Sequence, residues 1–136
     1  MSVSNRDSAL ALARKRCCVF QVHSAELSPS GRLACTCGRP SCASPAKHPY
    51  ARFAPSGVLS ASNVLHVVDA WWRVNPGANI GLATDDLVVV DVDTRKGGPD
   101  TLAKLEREHG ALPSTWRSFT GGGGEHVFFQ APVSWQ

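Results

Sequence analysis

Leu87-Val88-Val89-Val90-Asp91-Val92-Asp93 is the stretch on which the reading of the whole chain turns. Its apolar, mostly β-branched opening reads as a buried strand. Side chains on a strand alternate between faces, so Asp91 and Asp93 project the same way at its carboxyl end. Thr94-Arg95-Lys96-Gly97-Gly98-Pro99 then turns the chain away. Neighbouring carboxylates repel, and burial raises their pKa values. A divalent cation removes the repulsion. Hard oxygen ligands suit Mg2+ or Mn2+, which are held by one or two carboxylates plus substrate phosphates. The plain alternative is a water-solvated strand end.

Upstream, Asn79 to Thr84 reads as a short strand, and Asp85-Asp86 as the turn into the central one. So close a connection predicts an antiparallel pair. Ser60 to Asn75 is expected to be a helix, capped by Ser60 or Ser62 and stopped by Asn75-Pro76-Gly77. Its apolar face carries Val64, Leu65, Val67, Val68, Trp71 and Trp72, with both Trp read as core. A first helix is expected from Ser4 to Arg16, capped by Ser4 or Asp7, then a strand from Cys17 to Val22. Cys17 and Cys18 are adjacent and cannot face one ion from a regular strand, so they read as buried small hydrophobes.

Downstream, Asp100 to His109 reads as a helix ended by Gly110, with strands at Trp116 to Thr120 and Glu125 to Phe129. Between those strands stand Gly121, Gly122, Gly123 and Gly124, more glycine than a hairpin turn requires. Without Cβ atoms, backbone N–H groups can approach a bound phosphate closely. His126, just beyond, can donate to a phosphate oxygen or a sugar hydroxyl. No Gly-Lys-[Ser/Thr] follows, so this is not a Walker loop. A strand follows where a dinucleotide fingerprint requires a helix. A loose hairpin with an incidental His is the alternative.

Residues 23 to 62 are rich in Ser, Pro, Gly and Cys and read as irregular. Within them Cys35, Cys37, Cys42 and His48 form a C-x-C-x4-C-x5-H pattern. Cys3His is an ordinary tetrahedral set for structural Zn2+. A long polar loop has little core of its own, and a metal staple accounts for its order. Free surface thiols are the alternative, and His23 is a reserve fourth ligand.

The 136 residues are read as one domain, with 28–58 as a zinc-bearing insertion. An apolar content of 43% with 18% charged residues suits a globular protein, and a net charge of +3 permits nucleic-acid contact without demanding it. No apolar run reaches membrane-span length, and the first residues make no signal peptide. A cytoplasmic protein is expected, with its five Cys reduced or metal-bound.

These pieces stand in a telling order. An Ala-rich helix leads to Val-Phe, a Cys cluster and Lys47-His48-Pro49. The Trp-Trp helix, Asn79-Ile80-Gly81-Leu82-Ala83-Thr84 and Val-Asp-Val-Asp come next. Gly97-Gly98, Leu105-Glu106, Leu112-Pro113 and Thr-Gly-Gly-Gly-Gly-x-His-Val-Phe-Phe close it. From about Ala9 to Phe129 the chain resembles the bifunctional DNA primase/polymerase (prim-pol) domain of the archaeo-eukaryotic primase superfamily. The resemblance implies an α+β, RRM-like antiparallel sheet with packed helices, beside a zinc-bearing region. It implies that Asp91 and Asp93 bind catalytic Mg2+ or Mn2+, and that His126 with its glycines contacts the nucleotide's phosphates. It implies nucleoside triphosphates and a DNA template or primer as partners, a replicative helicase in a full-length protein, and a plasmid or phage origin. Arg95, Lys96 and Arg117 are candidate phosphate partners, with solvated surface charge as the alternative.

Two departures bear on activity. The family's third motif adds an Asp on a later strand, and none follows Phe129 here. The fold is therefore expected to be C-terminally incomplete, with an open sheet edge and little or no polymerase activity in this chain alone. Glu125 stands where the family often has a basic or polar residue. Two other readings compete: a non-catalytic zinc-bearing nucleotide- or nucleic-acid-binding remnant, and a haloacid-dehalogenase-type phosphatase, whose nucleophile motif is also Asp-x-Asp. Arg95 and Lys96 occupy positions where the phosphatase motif wants Thr or Val and then an apolar residue.

Overall fold

A computed structural model of the chain describes residues 3–135. It is mixed α+β, with three α-helices and small antiparallel sheets among the described residues. The chain forms two compact units, the first ending at Ala83 and the second beginning at Thr84.

The first unit opens with α1 (Asn5–Arg14), capped by Ser4, whose hydroxyl accepts from the Asp7 N–H at 3.1 Å. The expected helix runs two residues further. It stops because Arg16 takes a left-handed φ of 66°. Strand β1 (Val19–Val22) follows, then the short strands β2 (Ala25–Leu27) and β3 (Leu33–Cys35). The β2–β3 hairpin lies in the segment expected to be irregular. Its turn is closed by the Ser28 N–H on the Arg32 carbonyl at 2.8 Å, and three-residue strands leave too short a pattern to read. Cys17 and Cys18 precede β1 and are half-buried, not buried as expected.

Helix α2 (Leu65–Val74) starts later than expected. Ser60 falls in a separate 3₁₀ turn (Gly57–Ser60), and Ser62 bonds the Val64 N–H instead of capping a longer helix. Trp72 is fully buried, with its indole N–H on the Ala78 carbonyl at 3.1 Å, among Ala9, Leu10, Ala13, Val19 and Val68. Trp71 is only partly buried and stacks on Phe53. Gln21, buried in β1, donates to the Trp71 and Asn75 carbonyls and so satisfies the end of α2. Strand β4 (Asn79–Leu82) pairs antiparallel with β1.

The second unit is organised on β5 (Leu87–Val92). After it come a 3₁₀ turn (Thr94–Lys96), helix α3 (Gly98–His109), β6 (Arg117–Phe119) and β7 (Glu125–Gln130). Their sheet order is β5-β7-β6, antiparallel throughout. The tight Asp85-Asp86 turn predicted an antiparallel β4–β5 pair. The ladders use other partners, β1 for β4 and β7 for β5.

Candidate functional site

The β5–β7 register pairs Asp91 with His126, and the β6–β7 register pairs His126 with Ser118. Alternation then sorts the side chains. Val90, Val92, Val127, Glu125, Arg117 and Phe119 share one face, where α3 and the sheet line a cleft of about 350 Å3. Asp91, His126 and Ser118 share the other, in a row across three strands.

In that row Asp91 Oδ1 lies 3.5 Å from His126 Nε2, both groups open to solvent. The His126 ring meets Phe128 edge-on at 6.2 Å. Asp93 stands two residues past Asp91 in extended backbone, which carries the alternation on. Its carboxylate caps the following turn, accepting from the Arg95 N–H at 3.0 Å, with the Arg95 guanidinium at 3.6 Å. That backbone hydrogen bond, followed by the charge of Arg95, holds the Asp93 carboxyl below its ordinary pKa. Asp91, Asp93 and Lys96 line a cleft of about 390 Å3 with Thr101, Leu102 and Leu105 of α3. Arg117 is given elsewhere: it pairs with Glu125 at 2.9 Å on the opposite sheet face.

The four glycines divide. Gly124 presses against β5, where an added Cβ would stand 2.3 Å from the Val92 carbonyl oxygen. Gly123 has a φ of +83°, costly for other residues. At Gly121 and Gly122 an added Cβ would meet nothing within 4 Å. Nothing in the sequence singles out Ser118. Register found it, and only its alternation with Arg117 and Phe119 hinted at its face.

The second candidate site, in the first unit, is a metal centre. Ligand atoms of Cys35, Cys37, Cys42 and His48 all lie within 4.8 Å of one another. A tetrahedral Zn2+ with Zn–S near 2.3 Å sets its sulfurs about 3.8 Å apart, so the spacing fits a single ion. The His48 segment is delivered by two backbone bonds at the end of β1, His23 N–H to the His48 carbonyl and Tyr50 N–H to the Gln21 carbonyl, each 2.9 Å. Gly38, at φ +73°, turns the chain between Cys37 and Cys42. The Ala46 N–H reaches Cys35 Sγ at 3.4 Å, and His48 Nε2 is 3.5 Å from the same sulfur. The Ala46 hydrogen bond, with further ones from Cys37 and His48, outweighs burial and brings the Cys35 thiol down to about 6. Burial pushes Cys42 up. A thiolate at Cys35 at neutral pH is the form a metal takes. His23 lies outside the set. Its ring packs on His48 at 4.5 Å and on Tyr50 at 5.0 Å, and its Nδ1 bonds Thr36 at 2.9 Å. Burial, then His48, lowers its pKa.

Among the described residues no helix is long and apolar enough to cross a membrane. A sequence model described as "Bifunctional DNA primase/polymerase, N-terminal" matches residues 9–136. No curated protein and no solved structure matches the chain.

Proposed function

The chain belongs to the bifunctional DNA primase/polymerase N-terminal family, and on that premise we propose that the Asp91–His126 face of its three-stranded sheet is a nucleoside triphosphate site for nucleotide addition on a DNA template. The observation that carries the reading is the register that seats His126 directly opposite Asp91. The donor set fits a hard divalent ion. Asp91 is exposed with the imidazole beside it, and Asp93 keeps oxygen capacity beyond its turn cap. When bound, Mg2+ or Mn2+ supplies charge stabilisation to the attacking and leaving oxygens of an in-line displacement.

The chain's own residues do the rest. Asp91 and Asp93 offer carboxylate oxygens on one side of β5. His126 and the Gly121 and Gly122 amides donate to phosphate oxygens, and Lys96 adds positive charge in the cleft beside the carboxylates. The Cys3His centre takes one structural Zn2+ and orders residues that have little core of their own.

Calorimetry with Mn2+ and a deoxynucleoside triphosphate tests this. Wild type binds, and an Asp91→Ala/Asp93→Ala double variant does not. Equal binding removes these carboxylates from the site. A second reading, a zinc-bearing binding module without catalysis, is favoured by the commitment of Asp93 to its own turn. It predicts nucleotide or DNA binding that survives the same double substitution. The antiparallel β5–β7 ladder speaks against a haloacid-dehalogenase phosphatase, whose nucleophile strand belongs to a parallel, doubly wound sheet.

A further inference from the structure

We propose that Thr94 is a positioning residue: its hydroxyl holds the glycine loop against the turn that carries Asp93, and so sets where the loop's free amides stand. The inference rests on the triphosphate reading above. Thr94 Oγ1 donates to the Gly122 carbonyl at 2.9 Å, across 28 residues of sequence. Among the described residues it is the one side chain from outside the hairpin that hydrogen-bonds the loop.

Both ends of this bond are fixed. On the turn side, the Lys96 and Gly98 N–H groups both bond the Asp93 carbonyl, at 3.2 and 2.9 Å, and Gly97 N–H bonds the Thr94 carbonyl at 3.3 Å. These bonds use backbone, which leaves the Thr94 hydroxyl for the loop. On the loop side, Thr120 N–H bonds the Gly124 carbonyl at 2.9 Å, and Gly123 N–H bonds the Thr120 carbonyl at 3.0 Å. The Gly122–Gly123 peptide is therefore held by its carbonyl on Thr94 and by its N–H on Thr120.

The remaining donors follow from peptide geometry. The C=O and N–H of a trans peptide point opposite ways. With the Thr120 carbonyl drawn inward to Gly123, the Gly121 N–H is turned out of the loop. Among the hydrogen bonds of the described residues, none takes the Gly121 or Gly122 N–H. These are also the two glycines that neither φ nor packing requires. A loop clamped at its carbonyls, with the Gly121 and Gly122 amides left unbonded, suits an anionic oxygen. Releasing the clamp costs the preorganisation of those amides and leaves the carboxylates untouched.

The test compares wild type, Thr94→Val and Thr94→Ser in Mn2+ affinity, in triphosphate affinity at saturating Mn2+, and in backbone 15N order parameters at Gly121–Gly123. All three proteins should bind Mn2+ alike. Thr94→Val should bind the triphosphate about two- to tenfold more weakly, the range for losing one hydrogen bond, with lower loop order parameters. Thr94→Ser should restore both. Unchanged order parameters in Thr94→Val overturn the clamp whatever the nucleotide does. A mobile loop with undiminished triphosphate affinity overturns its role in binding. If wild type shows no Mn2+-dependent triphosphate binding, the parent reading fails, and the positioning role for nucleotide fails with it.

Discussion

Asp91 and His126 are direct register partners on adjacent antiparallel strands, and Oδ1 of the one lies 3.5 Å from Nε2 of the other. A cation on Asp91 therefore sits next to the imidazole without any rearrangement of the sheet. Mn2+ should broaden the His126 ring resonances in wild type. Asp91→Ala should abolish the broadening. Broadening of equal strength in that variant would place the ion elsewhere.

The glycine loop separates stability from binding. Gly124→Ala puts a methyl group into the Val92 carbonyl, at 2.3 Å in the undistorted backbone. The resulting overpacking should destabilise the second unit by about 1–3 kcal/mol. Gly121→Ala meets nothing and should move stability by less than about 0.5 kcal/mol. Urea midpoints of the two variants check the contrast. A larger loss for Gly121→Ala than for Gly124→Ala would refute it.

The Cys3His centre should bind one zinc per chain and lose it in Cys37→Ser. Cys42, held above its ordinary value by burial, must give up a proton to bind, so zinc affinity should fall steadily from pH 8, and more steeply below about 6, where Cys35 is protonated as well. A competition titration with a chromogenic chelator from pH 8 to 5 measures this. A slope that does not steepen below about pH 6 contradicts the assignment of Cys35 as a ligand.

Asp69 joins α1 to α2. It accepts from Arg6 of α1 and, at 2.6 Å, from Arg73 one turn further along α2. Hydrogen bonds from Arg6 and then Arg73 hold its carboxyl below the ordinary value. The unfolded chain thus takes up the proton at a higher pH than the folded one. This stabilisation is complete above the unfolded value, near pH 3.9, and is lost as pH falls through the lower folded value. Thermal unfolding of Asp69→Asn should lack that acid-linked loss. A pH profile parallel to wild type would show that the pair contributes nothing.

Much of the site was legible as chemistry in the chain itself. Alternation placed Asp91 and Asp93 together, and ligand type and spacing singled out Cys35, Cys37, Cys42 and His48. These rest on local geometry, which a strand or a tight turn fixes within a few residues. The β2–β3 hairpin and the late start of α2 were not legible. Three-residue strands carry no period, and Ser62 bonds the Val64 N–H instead of capping a longer helix.

What the sequence determined was the set of candidate groups: an acidic pair at a strand's end, a histidine behind glycines, three thiols and an imidazole. The tertiary structure alone decided which of them meet. Register between strands set Asp91 opposite His126, brought Ser118 into their row and sent Arg117 to Glu125 on the other face. Pairing of residues 35 positions apart depends on how whole strands slide past each other, and a slip of one residue would exchange the two faces.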